Sequence, residues 1–172
     1  MESFKAGLKD GMTDTVYILS NAEIENNIKD YNTDMFEKLK RLNKSKAEEF
    51  LAENKRKDDI TTTASGLQYR IISEGSGVKP TINDTVVVHY KGFLLDGTLY
   101  DSSFKRGKEQ FFALVDLIPG WREVLPLMTE GDIYEVYIPP ELGYGELGNS
   151  YLNVPPNALL HVKIELIKVL NK

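Results

Sequence analysis

The sequence contains no cysteine among its 172 residues. Disulfides, thiolate nucleophiles and cysteine-based zinc sites are therefore excluded, although the absence fixes no compartment. Histidine is nearly as scarce, represented by His89 and His161 alone. Both fall in segments that read as strands, without the pairing that a metal site needs. His89 shares a strand face with Val87 and Lys91, and it reads as an ordinary strand histidine on the solvent side. No serine sits in a nucleophile elbow, and Gly145-Glu146-Leu147-Gly148 is too sparse for a phosphate loop. No apolar run approaches the roughly 20 residues that cross a bilayer. The opening Met1-Glu2-Ser3-Phe4-Lys5-Ala6 lacks the apolar core of a signal peptide, which leaves a cytoplasmic protein or a mature, trimmed form as alternatives. A formal net charge of -5, spread evenly over the chain, argues against nucleic acid as a partner.

Proline is absent from the first 60 residues, and this part reads as helical. A short helix is expected over Glu2 to Asp14, with Phe4, Leu8 and Met12 on one face. Ser20-Asn21-Ala22-Glu23 then matches a capping box, in which serine and glutamate satisfy each other's backbone amides. From there Ile24, Ile28, Tyr31, Met35, Leu39 and Leu42 form an apolar stripe, followed by Phe50 and Leu51. A helix unbroken to Lys57 would run about 55 Å. So long a stripe exceeds what a small body can cover, which favours self-association over a solvated spacer helix.

All seven prolines lie beyond the polar joint Thr61–Gly66. There the texture becomes short β-rich runs between turns, with strands expected over Leu67–Ile72, Thr85–Leu94, Gln110–Ala113, Asp132–Ile138 and Leu159–Leu170. Asp96-Gly97 suggests a two-residue type I′ hairpin. One short helix fits Trp121–Met128, but Pro126 must kink it or end it early, because its ring would clash with the Arg122 carbonyl. The expected class is α+β: an antiparallel half-barrel around one short helix (61–172), preceded by a helical region (1–60) with one long helix.

Aromatic and apolar residues concentrate around glycine and proline turns. The stretches are Val88-His89-Tyr90-Lys91-Gly92, Asp96-Gly97-Thr98-Leu99-Tyr100-Asp101-Ser102-Ser103, Leu117-Ile118-Pro119-Gly120-Trp121, Ile138-Pro139-Pro140-Glu141-Leu142-Gly143-Tyr144-Gly145 and Val154-Pro155-Pro156-Asn157-Ala158-Leu159. Taken singly, Tyr90 and Trp121 read as core aromatics. Asp101 does not, because a carboxylate there is either solvated or held by partners.

In this order and spacing the five stretches resemble FKBP-type peptidyl-prolyl cis-trans isomerases, over about residues 66–170. Phe50-Leu51-Ala52-Glu53-Asn54-Lys55 and Ser65-Gly66-Leu67-Gln68-Tyr69 resemble the linker of the macrophage infectivity potentiator group. The resemblance implies a pocket between sheet and short helix, with Trp121 as its floor. It further implies Tyr90, Tyr100, Leu117 and Ile118 as walls, and Asp101 and Tyr144 beside the substrate carbonyl. The backbone N–H of Ile118 would bind the peptide, with Phe112, Val154 and Val162 completing the substrate site. No cofactor or metal is implied. The implied partners are proline-containing unfolded or partly folded polypeptides, macrolide inhibitors of the family, and a second copy through the N-terminal helices. The implied location is the bacterial periplasm or outer membrane. Gln110, Asn153 and Val162, with Tyr100 in place of phenylalanine, depart from the family pattern and point to a wider, wetter pocket. A dimeric holdase-type chaperone with a weakened pocket is the alternative.

Overall fold

The computed structural model describes residues 20–170, so the expected helix over Glu2–Asp14 lies outside the described residues. The chain forms two compact units, one ending at Leu39 and the other beginning at Lys40. Helix α1 runs Asn21–Asn54. Its start is the capping box read from the sequence: the Ser20 N–H donates to Glu23 Oε2 at 2.8 Å, and the Glu23 N–H donates to Ser20 Oγ at 3.3 Å. Ile24, Ile28, Tyr31, Met35 and Leu39 are all exposed within the first unit.

In the second unit the strands are β1 (Thr61–Thr62), β2 (Gln68–Ser73), β3 (Thr85–Phe93), β4 (Leu99–Ser102), β5 (Gln110–Ala113), β6 (Ile133–Ile138) and β7 (Leu160–Leu170). They form one antiparallel sheet of order β1-β2-β6-β7-β3-β4, with β5 also on β3. β3 serves two neighbours along one edge. Its first half pairs with β5 (Val86 opposite Phe112) and its second with β4 (Gly92 opposite Asp101). Its other edge runs along β7, Tyr90 opposite Ile164. The period-two alternation of a half-buried sheet puts Val86, Val88, Tyr90, Val136, Ile138, Val162, Ile164 and Leu166 into the core. Trp121, Val124, Leu125 and Met128 fill that core from the other side.

The strand expectations hold to within a residue or two; β1 was not expected, and β4 was signalled only by the hairpin turn that precedes it. The short helix, α2, covers Pro119–Val124 and gives way to a 3-10 turn at Leu125–Leu127 that carries Pro126. The helix thus ends before the proline ring can meet the Arg122 carbonyl. The hairpin between β3 and β4 is not type I′. Gly97 alone in that turn has positive φ (84°), its N–H donates to the Leu94 carbonyl, and Leu94 N–H donates to Thr98. The loop therefore has three residues, Leu95–Gly97, with glycine in the left-handed position that closes such loops.

The last turns of α1 dock on the outer face of the sheet, where Ala47, Tyr137 and Leu159 form a second small core flanked by Phe50, Leu51 and Ile60. The helix stops at Asn54, short of Lys57, and there its side chain is committed to the sheet. Asn54 Nδ2 donates to Gln68 Oε1 at 3.0 Å, and Gln68 Nε2 donates to the Leu51 carbonyl at 2.9 Å.

Nearby, half-buried Glu135 receives Arg70 Nε at 2.5 Å and pairs with His161 Nε2 at 2.5 Å. Burial pushes its carboxyl up, but the His161 and Arg70 hydrogen bonds outweigh burial and hold it below the usual range. Glu135→Ala should lower the urea-unfolding free energy at pH 7 by about 1 kcal/mol, since it leaves half-buried His161 without its carboxylate while Arg70 keeps Asp59 and water. Because the folded value is depressed, this contribution is present above the unfolded carboxyl pKa. The difference between wild type and variant should therefore shrink as pH falls through the folded value.

Candidate functional site

The site begins at the register between β3 and β4. Tyr90 points into the core, and the Ser103 hydroxyl, fully buried, fixes its backbone by accepting from the Tyr90 N–H at 2.8 Å. Asp101, two residues earlier on β4, then lies within reach of the Tyr90 hydroxyl, which donates to Asp101 Oδ2 at 2.6 Å. Arg106, in the 3-10 turn Phe104–Arg106, donates to Asp101 Oδ1 at 2.5 Å and also reaches the Tyr90 hydroxyl. The Ser102 N–H adds a bond to Asp101 Oδ1 at 2.7 Å.

Burial pushes the Asp101 carboxyl up. The Tyr90 and Arg106 hydrogen bonds and the Ser102 amide more than offset it, so the carboxyl ionises below the usual range. Burial, and then the bond to Asp101, pushes the Tyr90 phenol well above its ordinary value. The result is a fixed negative charge held by a neutral phenol and a guanidinium.

Beneath this cluster the aromatic rings meet edge to face. Trp121 lies 5.0 Å from Tyr90 at 84° and 5.9 Å from Phe112 at 82°, both T-shaped, the arrangement that ring quadrupoles favour. Tyr90 and Phe112 are 6.0 Å apart. Trp121 is placed by α2, whose approach to β6 depends on Gly120, because a Cβ there would fall 2.5 Å from Ile138 Cγ2. Leu117 and Ile118, immediately before α2, are half-buried against the same cluster. Ile118 is the cap residue of α2, and its backbone N–H has no acceptor among the described residues.

Tyr100 lies across Gly92, where a Cβ would meet its ring at 2.5 Å. Burial pushes its phenol up, as it does that of Tyr144, which also feels the charge of Asp101. Neither hydroxyl makes a hydrogen bond with a described residue, so both are donors in reserve beside Asp101. Val154 and Val162 are buried and back the cluster from the core.

The residues picked out in the sequence thus converge on one place. Two members were missed. Ser103 and Arg106 fix Tyr90 and Asp101, and the only hint was a serine and an arginine closely following a buried carboxylate. Gln110 is turned onto its own loop, donating to the Lys108 and Glu109 carbonyls. Asn153 adopts φ 54°, a left-handed conformation that asparagine tolerates far better than an apolar residue would. His89 is on the opposite face, stacked on Phe104 at 4.6 Å and bonded to Ser103.

Residues 76–167 match the family model described as FKBP-type peptidyl-prolyl cis-trans isomerase, and residues 1–71 match the domain amino terminal to it. The chain is 45% identical over 130 residues to the peptidyl-prolyl cis-trans isomerase Mip of Coxiella burnetii, covering 76% of this chain and 56% of that protein. It is 40% identical over 172 residues to the outer membrane protein MIP of Legionella longbeachae, covering 95% of this chain and 72% of the relative. Among solved structures, FkpA from Escherichia coli superposes with a TM-score of 0.79 at 34% identity, over 98% of this chain and 81% of that one. A peptidyl-prolyl cis-trans isomerase from Pseudomonas syringae does so with a TM-score of 0.71 at 32% identity, over 76% of this chain and 96% of that one.

Proposed function

The chain belongs to the FKBP-type peptidyl-prolyl cis-trans isomerase family, and from that premise we propose that it accelerates X-Pro isomerisation in unfolded or partly folded polypeptides. The observation that carries this reading is the unpaired Ile118 N–H beside the Trp121, Tyr90 and Phe112 rings. Together they offer one peptide hydrogen bond next to a dry aromatic floor, which suits a proline flanked by extended chain.

The chemistry needs no nucleophile. An X-Pro bond prefers trans by only about 0.5–1 kcal/mol but interconverts over tens to hundreds of seconds. The barrier comes from amide resonance. Halfway through the rotation the amide is twisted and carries less charge separation than either planar form. A dry pocket that receives the proline ring on Trp121 therefore binds the twisted amide better than the planar one, and that difference is the catalysis. In this reading Tyr90, Tyr100, Leu117 and Ile118 wall the pocket, while Phe112, Val154 and Val162 support it. Tyr144 and Asp101 flank the substrate carbonyl. Arg106 and Ser103 act as positioning residues, holding Asp101 and Tyr90 in place.

The assay is isomerisation of short X-Pro peptides with the residue before proline varied. Saturable acceleration supports the reading. An unchanged rate, with client aggregation still suppressed, would favour a holdase-type chaperone. Macrolide inhibitors of the family would compete for the same pocket.

The proposed division of labour is a helical dimerisation and linker region up to residue 60 and an isomerase domain over 61–172. The exposed Ile24, Ile28, Tyr31, Met35 and Leu39 supply the apolar face that a second copy would cover. Light scattering should report a dimer at tens of micromolar. Ile28→Glu with Met35→Glu should convert it to a monomer, whereas a monomeric wild type would overturn the proposal. A bacterial periplasmic or outer-membrane location is proposed, the Legionella relative being named an outer membrane protein. No helix among the described residues is long and apolar enough to cross a membrane.

A further inference from the structure

Tyr144 sits on the long connection from β6 to β7, which runs from Pro139 to Leu159 with only short 3-10 turns at Pro140–Leu142 and Gly145–Leu147. Its tip is open, with Leu147 83% and Tyr151 91% exposed. Internally it is held by the bridge between Asn149 and Val154, by Asn149 Oδ1 accepting from Leu152 at 3.0 Å, and by Asn157 N–H donating to the Gly145 carbonyl at 2.8 Å. Its other backbone bonds are short-range turns, such as Gly148 N–H to the Gly145 carbonyl, so a connection this long without a strand or α-helix depends on its contacts with neighbouring elements for its place.

Val154 is buried in the main core and Leu142, Leu152 and Ala158 pack against it, and a second set of contacts comes from α1. Asn43 Nδ2 donates to the Pro156 carbonyl at 2.8 Å, and Asn157 Nδ2 donates back to the Lys40 carbonyl at 3.2 Å. Each asparagine spends its side-chain amide on a backbone carbonyl of the other element, so the two bonds form a reciprocal clamp. Asn157 is 6% exposed and adopts φ 52°, a conformation that few residues other than glycine and asparagine accept readily. Its backbone N–H meanwhile holds the Gly145 carbonyl, next to Tyr144. A continuous path thus runs from α1 through Asn157 to Gly145 and Tyr144. The Lys40–Glu146 ion pair at 2.7 Å lies alongside, but Glu146 is 71% exposed, so the pair contributes little.

We propose that Asn43 and Asn157 are positioning residues for the isomerase site, through which the Lys40–Asn43 turn of α1 sets the place of Tyr144. The inference rests on the isomerase reading for its consequence in catalysis, though not for the clamp itself. Displacing a group that flanks the reacting carbonyl costs rate steeply.

The test uses the full chain and the variants Asn43→Ala and Asn157→Gly. The glycine keeps the left-handed backbone and the N–H to Gly145 while deleting the side-chain amide. Both should lower kcat/KM for X-Pro peptides by about three- to tenfold, at temperatures well below their unfolding midpoints. In a Tyr144→Ala background the same changes should add less than about a twofold loss, because the path ends at Tyr144. Equal losses in both backgrounds would overturn the proposal. Amide exchange gives a readout independent of activity: Gly148 and Asn157 should exchange about tenfold faster in the variants, with β6 and β7 unchanged. Should the wild type fail to accelerate isomerisation, the isomerase reading falls, and exchange alone then decides the clamp. Unchanged exchange at Gly148 and Asn157 would refute it in either case.

Discussion

Trp121→Ala should reduce kcat/KM for an X-Pro peptide by about a hundredfold, equivalent to about 2.7 kcal/mol of transition-state binding. The indole is the surface on which the proposed proline ring rests, and both Tyr90 and Phe112 are oriented by their edge contacts with it. Its loss removes the apolar face and leaves a cavity into which those rings can tilt. The same change should lower stability by about 3–5 kcal/mol, as aromatic-to-alanine changes in cores do. Since that is a large share of the stability of an ordinary domain, Trp121→Phe provides the second variant. It keeps most of the apolar floor, should fold normally, and should lose no more than about tenfold in kcat/KM. Full activity in Trp121→Ala, measured where circular dichroism shows it folded, would remove the indole from the mechanism.

Asp101→Val should cause a comparable loss by a different route. The carboxylate accepts from the Tyr90 hydroxyl, from Arg106 and from the Ser102 N–H. Valine leaves the buried Tyr90 phenol without its acceptor, at a cost of about 1–3 kcal/mol, whereas Arg106 is exposed enough for water to take over its lost bond. Tyr90 would then be free to rotate away from Trp121, and a loss of about thirty- to a hundredfold in kcat/KM is expected. Asp101→Asn retains an acceptor oxygen and the shape, and should lose less, about three- to tenfold.

The pH dependence follows the same chemistry. The folded carboxyl of Asp101 is depressed, so its stabilising effect is complete above the unfolded value of about 3.9 and is lost as pH falls through the folded one. Wild-type activity should therefore show no Asp101-linked decline down to about pH 5. A carboxylate-like loss centred above that pH, absent in Asp101→Asn, would contradict the geometry.

Much of the site was legible in the sequence because its members lie in short stretches bound to turns. Asp101 stood out as a carboxylate between an aromatic and two serines, a position where it is either solvated or held by partners. Tyr90 and Trp121, by contrast, are indistinguishable in a single sequence from core aromatics, which they also are: both are only 6% exposed. The partners of Asp101 were half visible. Tyr90 was named, but Arg106 was not, because a 3-10 turn folds it back onto the carboxylate and no periodicity announces such a turn.

The hairpin went astray for a related reason. Asp-Gly suits both two- and three-residue loops, and the choice is made by the register of β3 on β4, a property of the sheet. Pro126 was the opposite case, since its ring alone dictates that α2 must stop. Asn153 looked like a polar intrusion at an apolar position. Its positive φ, shared by Asn157, shows that backbone conformation, which composition does not reveal, selected it.

The central claim is that this cluster turns an X-Pro bond, and the most direct measurement is exchange between cis and trans peptide in the presence of the purified chain, followed by NMR without a coupled protease. Catalysis predicts exchange that rises with protein concentration, saturates with peptide and falls about a hundredfold in kcat/KM for Trp121→Ala. Exchange at the uncatalysed rate, with the wild-type chain folded and in excess, would contradict it.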